Sequence, residues 1–119
     1  MLFHISKGAI SEAAKSNYIF KHGAISFNRG KPVGKGFNNT EIHGGLARNY
    51  GYFGGRHAEV QALQNVQKAD TLLIVRIRRG DKKLSMSRPC DKCLKYLRDK
   101  GVKKVWFSNW SGEIEKMRL

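Results

Sequence analysis

At 119 residues the chain has the length of one domain, and it carries 23 Lys/Arg against 9 Asp/Glu, a formal charge of +14. With 40% hydrophobic and 10% aromatic residues its composition is that of a folded protein and excludes wholesale disorder. The longest apolar run, Leu72-Leu73-Ile74-Val75, falls far short of the roughly 20 residues of a membrane span, and the opening residues hold no continuous apolar core of a signal peptide, so a soluble, cytoplasmic protein is expected.

No internal repeat or low-complexity stretch is visible, and residues 1–119 read as a single domain. Residues 2–16 place Leu2, Ile5, Ala9, Ile10, Ala13 and Ala14 at spacings that predict an amphipathic helix with one face on a sheet. Ala24 to Phe27, the turn residues Asn28-Arg29-Gly30-Lys31-Pro32 and then Val33 to Phe37 predict a β-hairpin, its glycines marking a weak edge strand. Residues 38–56, rich in Gly and Asn with Tyr50, Tyr52 and Phe53 among them, are longer than an ordinary connection and predict a functional loop.

A helix is predicted over His57 to Ala69 from Val60, Leu63 and Val66, followed by a buried central strand over Thr71 to Ile77. Gly80-Asp81-Lys82 turns the chain outward. Pro89 opens a second helix, Cys90 to Lys100, which Gly101 ends before a strand over Val102 to Ser108. The last strand, Glu113 to Leu119, follows a link so short that only an antiparallel hairpin fits.

Charge is unevenly spread. Residues 76–104 hold 12 Lys/Arg against 3 Asp/Glu, whereas residues 1–75 hold 9 against 4. Such a segment fits a polyanionic partner, the alternative being a basic solvated surface.

The two cysteines, Cys90 and Cys93, suit a metal or a redox pair better than a disulfide framework. Positions i and i+3 share a helix face, so both sulfurs reach one ion, and the positive end of the helix dipole favours two thiolates. His57 starts the other predicted helix and adds a third ligand, leaving the fourth position of a tetrahedral zinc site open for water. Glu59, two residues on, is placed to take a proton from that water and pass it on.

Through His57-Ala58-Glu59 and Pro89-Cys90-x-x-Cys93 the sequence resembles the zinc-dependent cytidine and deoxycytidylate deaminase superfamily; this signature is the standard description of nucleobase deaminases. The element order, the roughly 30-residue gap between the motifs and Gly36-Phe37-Asn38 ahead of the long loop extend the resemblance over nearly the whole chain. It implies a three-layer α/β/α fold around a five-stranded mixed sheet of order 2-1-3-4-5 with an antiparallel C-terminal hairpin. It further implies one zinc ion per chain on His57, Cys90 and Cys93, with Glu59 as the proton carrier in hydrolytic loss of ammonia from C4 of cytosine or C6 of adenine. Asn38 matches the asparagine that family members use on sugar or base, Asn39 being the neighbouring register. Ala58, Ser87 and Arg88 fall near the base, and Trp110 falls in the loop that touches the target base in relatives acting on polynucleotides. Arg88 departs from the Glu or Ser that often precedes Pro-Cys.

The expected substrate is cytosine within single-stranded nucleic acid, held by Arg78, Arg79, Lys82, Lys83, Arg88, Lys92 and Lys95. The short final link instead matches the free-nucleoside branch, which assembles as homo-oligomers, while Gly-Phe-Asn matches the nucleotide and tRNA-adenine branches. A catalytically idle, zinc-containing nucleic-acid-binding module is the reading from a different class.

Overall fold

The computed structural model describes residues 2–16, 21–38, 58–78, 80–81 and 83–119, with side chains from Lys7 onward. The expected loop residues Asn39, Tyr50, Tyr52 and Phe53, together with His57, Arg79 and Lys82, lie outside the described residues.

The aliphatic run forms β3 (Thr71–Ile77), the span that the sequence predicts. Its pleat sends Leu72 and Ile74 to one face and Leu73, Val75 and Ile77 to the other, and each set belongs to a separate core cluster. A strand apolar on both sides must be covered on both sides. Helix α1 (Leu2–Ala13) covers one face with Ala9 and Ala13. Helices α2 (Ala58–Leu63) and α3 (Asp91–Asp99) cover the other with Val60, Ala62, Leu63, Leu94 and Leu97. The expected three layers are present.

β3 pairs antiparallel with β1 (Lys21–Asn28), which pairs antiparallel with β2 (Lys31–Phe37). On its other side β3 runs parallel to β5 (Lys104–Ser108), and β6 (Ile114–Arg118) closes the predicted antiparallel hairpin on β5. The resulting order, β2-β1-β3-β5-β6, is the expected one. The sheet has six strands rather than five, because the two-residue β4 (Leu84–Ser85) also pairs with β3. β3 and β5 stay together from Thr71/Lys104 to Ile74/Phe107, and beyond that point β4 takes a place beside β3 at Arg76 and Ile77.

Besides the extra strand, one helix is shorter than the sequence predicts and one strand has a further role. The helix expected over 57–69 ends at Leu63, where Asn65 adopts a left-handed φ of 62°, yet Val66 still packs on the core. The glycines of β2 do more than weaken an edge. A Cβ on Gly36 would stand 2.6 Å from Gln61 Cβ and 2.7 Å from Ala58 O, and one on Gly34 would collide with Ala62 O. Lacking side chains there, β2 lets α2 lie directly on the sheet. Among the described residues no helix is long and apolar enough to cross a membrane.

Candidate active site

Parallel β3 and β5 end at one edge of the sheet, the edge where open α/β sheets collect their ligands. Antiparallel pairing brings the end of β2, with Asn38, and the start of β1, with His22, to the same edge. Helix α2 begins there too: its first residue, Ala58, neighbours Gly36 near the edge, while Ala62 neighbours Gly34 one turn further in. The stretch before α3 is fastened there by Ser87, whose N–H donates to Ser108 O at the end of β5 over 2.8 Å. Both helix N-termini therefore face one edge.

At the start of α2, Glu59 is only 4% exposed. Burying a carboxylate at a helix start is costly for folding and is common at functional sites. At the start of α3, Cys90 is the N-cap with extended backbone and a thiol that does not cap the helix, while Cys93 is buried at 1% exposure. Tyr96 follows one turn after Cys93 on α3 and is itself buried. Burial first, then the negative charges of Glu59 and Cys93, push its hydroxyl above the ordinary value of 10.0. Glu59 of α2 and Cys93 of α3 thus act electrostatically on the same phenol. Sequence reasoning passed over Tyr96, although its three-residue step from Cys93 places both on one helix face.

Among the described residues no group of three His, Cys, Asp or Glu side chains stands together to hold a metal. The third expected ligand, His57, directly precedes Ala58 in sequence and lies outside the described residues. The donor chemistry present fits a zinc ion: two thiols at i and i+3 on a helix N-terminus, beside a buried carboxylate.

Asn38 is held in place by an exchange with β1: its Oδ1 accepts the His22 N–H over 2.9 Å, and its own N–H donates to His22 O over 3.3 Å. Ala58 is buried. Ser87, expected near the base, is buried with its hydroxyl donating to Ile74 O over 2.8 Å and accepting from the Ser108 N–H, so that side chain is spent on structure. Arg88 is exposed.

Trp110 is 70% exposed and packs in no core. It sits on a turn that Asn109 builds, Oδ1 accepting from the N–H groups of Ser111 and Glu113, both at 2.9 Å. The turn abuts β4, since Gly112 neighbours Leu84. Of the basic residues, Arg78 pairs with Asp81 at 3.0 Å, Lys83 is exposed beside it, and Lys92 and Lys95 are exposed on α3.

No protein-family model matches the chain, and no curated protein does. Among solved structures it is similar to a cytidine deaminase from Burkholderia pseudomallei, at 18% identity over 99% of this chain and 92% of that one, with a TM-score of 0.71. A cytidine deaminase from Mycobacterium leprae shares 18% identity over 92% and 87%, with a TM-score of 0.60. The dCMP deaminase of cyanophage S-TIM5 shares 22% over 91% and 85%, with a TM-score of 0.55.

Proposed function

We propose, from the premise that the chain has the cytidine deaminase-like fold, that it is a hydrolytic deaminase converting cytosine to uracil, with single-stranded nucleic acid as its substrate. The observation that carries the reading is Glu59: a carboxylate only 4% exposed at the start of α2, on the sheet edge where α3 with Cys90 and Cys93 also begins.

His57, Cys90 and Cys93 would hold one zinc ion, which supplies Lewis acidity that makes water nucleophilic near neutral pH. Glu59 then has two tasks. It takes a proton from the attacking water and gives it to N3 of the ring, and it carries the second proton to the departing amine. The C4–N4 bond breaks, a C4=O bond forms, and water plus cytosine become uracil plus ammonia. Asn38, fixed by His22, orients the base or sugar, and its Ala control at Asn39 tests the register. The N–H of Ala58 and the backbone at Ser87 and Arg88 line the approach to the base.

Trp110 favours a strand over a free nucleoside. An indole 70% exposed on a hydrogen-bonded turn offers a fixed face for a base to stack on. The free-substrate reading is favoured by the similar structures, which are named as cytidine and dCMP deaminases. Ammonia release from cytidine, dCMP and a cytosine-containing single-stranded oligonucleotide separates the two. Turnover of the oligonucleotide alone supports the proposal, turnover of cytidine or dCMP alone overturns its substrate, and release from none of the three by the zinc-loaded protein overturns the activity.

A further inference from the structure

Where β3 and β5 separate, two buried serines join what the sheet no longer does. Ser108, 0% exposed, donates its hydroxyl to Ser85 O over 2.6 Å and accepts the Arg76 N–H over 3.1 Å. Ser87, 3% exposed, donates to Ile74 O over 2.8 Å and accepts the Ser108 N–H over 2.8 Å. Their oxygens stand 2.9 Å apart. Each hydroxyl thus has a carbonyl to donate to and an N–H to accept from, and a proton of either can instead bridge the two oxygens, so that together they replace ladder bonds lost at the split. Three strands and the segment entering α3 meet at this one point. Ser87 stands three residues before Cys90, with Pro89 as the only buried residue between them.

We infer that Ser87 and Ser108 form a clasp whose function is to position Cys90 and Cys93: they are positioning residues that fix the stretch leading into α3, and with it the geometry of both sulfurs. The consequence for metal affinity rests on the function proposed above. The consequence for the thiols does not, because the clasp consists of hydrogen bonds among the two serines and backbone groups.

The test uses the full chain and its only two cysteines. In chelator-treated wild-type protein, iodoacetamide should modify exposed Cys90 readily and buried Cys93 slowly, as read by mass spectrometry. Ser108→Ala should speed Cys93 alkylation by about tenfold or more, the scale of one lost buried hydrogen bond, with Cys90 unchanged. Val75→Ala, which trims a fully buried side chain on the α1 face, serves as the control for general destabilisation. In parallel, zinc affinity against a chromophoric chelator should fall by about 10–100-fold in Ser108→Ala, as for other groups that orient metal ligands. Ser87→Ala gives the same two readouts should Ser108→Ala fail to fold.

If both serine variants bind zinc as the wild type does and protect Cys93 as well as Val75→Ala does, the clasp is only structural and the inference is overturned. If wild type takes up no zinc yet the serine variants still unmask Cys93, the clasp stands and the proposed function falls.

Discussion

Glu59 is a carboxylate buried at a helix start, only 4% exposed, and the proposed reaction gives that costly placement a purpose. Glu59→Gln keeps the shape and the neighbouring Cys93 and Tyr96 but cannot carry a proton. Turnover should fall by about 10²–10⁴-fold, the usual worth of a positioned acid–base group, with zinc content and melting temperature held. Near-normal turnover in that variant would reduce Glu59 to a helix-start residue. Asp70 is a carboxylate with the opposite environment. Its Oδ2 accepts the Arg29 N–H over 3.0 Å and its Oδ1 the Thr71 hydroxyl over 2.9 Å. The Arg29 N–H above all, then the Thr71 hydroxyl, with the Lys104 charge adding to them, hold its pKa below 3.8. A lowered folded-state pKa means that the ionised form stabilises the fold, fully above the unfolded value and decreasingly as pH falls through the lower folded one. Asp70→Asn should therefore lower the urea midpoint at pH 7, and the gap to wild type should close as pH drops below 3.8. A gap independent of pH would assign Asp70 a packing role instead.

Helix α2 is six residues long, too short to be stable by itself, and its place depends on the sheet beneath it. Ser26 Oγ donates to Ala62 O over 2.7 Å, Gln61 Oε1 accepts the Phe37 N–H over 2.7 Å, and Gly34 and Gly36 leave room for the helix backbone. Gly36→Ala puts a methyl within 2.7 Å of Ala58 O, one residue from Glu59, so α2 must move. The variant should lose about 1–3 kcal/mol of stability, the cost of overpacking, and activity with it. Gly80→Ala, with nothing within 4 Å, should change neither. A neutral Gly36→Ala would mean that α2 is not held by this close approach. The same element shows what the sequence could and could not reveal. β3, the hairpins and the stop of α3 at Gly101 were legible because period and turn chemistry are local signals, whereas the start of α3 lies one residue later than the sequence predicts, Cys90 being its N-cap rather than its first residue. The end of α2 was not legible, because Val66 continues the apolar spacing after the helix has stopped at Leu63 and Asn65 has turned left-handed. β4 has two residues and no periodicity of its own, existing only as a partner of Arg76 and Ile77. Cys90 and Cys93 announced themselves through their spacing, whereas Ser87 and Ser108 are single serines 21 residues apart that become a unit only where β3 and β5 separate.

For the molecule as a whole, the sheet edge that gathers Asn38, Glu59, Cys90 and Trp110 also carries the exposed cations Lys83, Arg88 and Lys92, which sit on the β3–β4 turn, the stretch before α3 and its first turn. Arg78, although among the expected contacts, spends part of its charge on Asp81 at 3.0 Å and is the weaker choice for a test. A single strand lying along this edge would place phosphates beside these cations and a base against Trp110. Each phosphate contact contributes about −0.7 to the slope of log affinity against log salt on a single strand, so Lys83→Gln, Arg88→Gln and Lys92→Gln together should flatten the slope by up to about 2. Trp110→Ala should act differently. Loss of one stacked base should weaken oligonucleotide binding by about 1–3 kcal/mol at any salt concentration and leave the slope where it was. An exposed indole contributes little to the core, so the melting temperature should hold in that variant. The two effects are separable in one salt titration monitored by fluorescence anisotropy of a labelled oligonucleotide. A wild-type slope near zero would make the +14 charge a general surface property and would turn the reading towards a free nucleoside or nucleotide substrate.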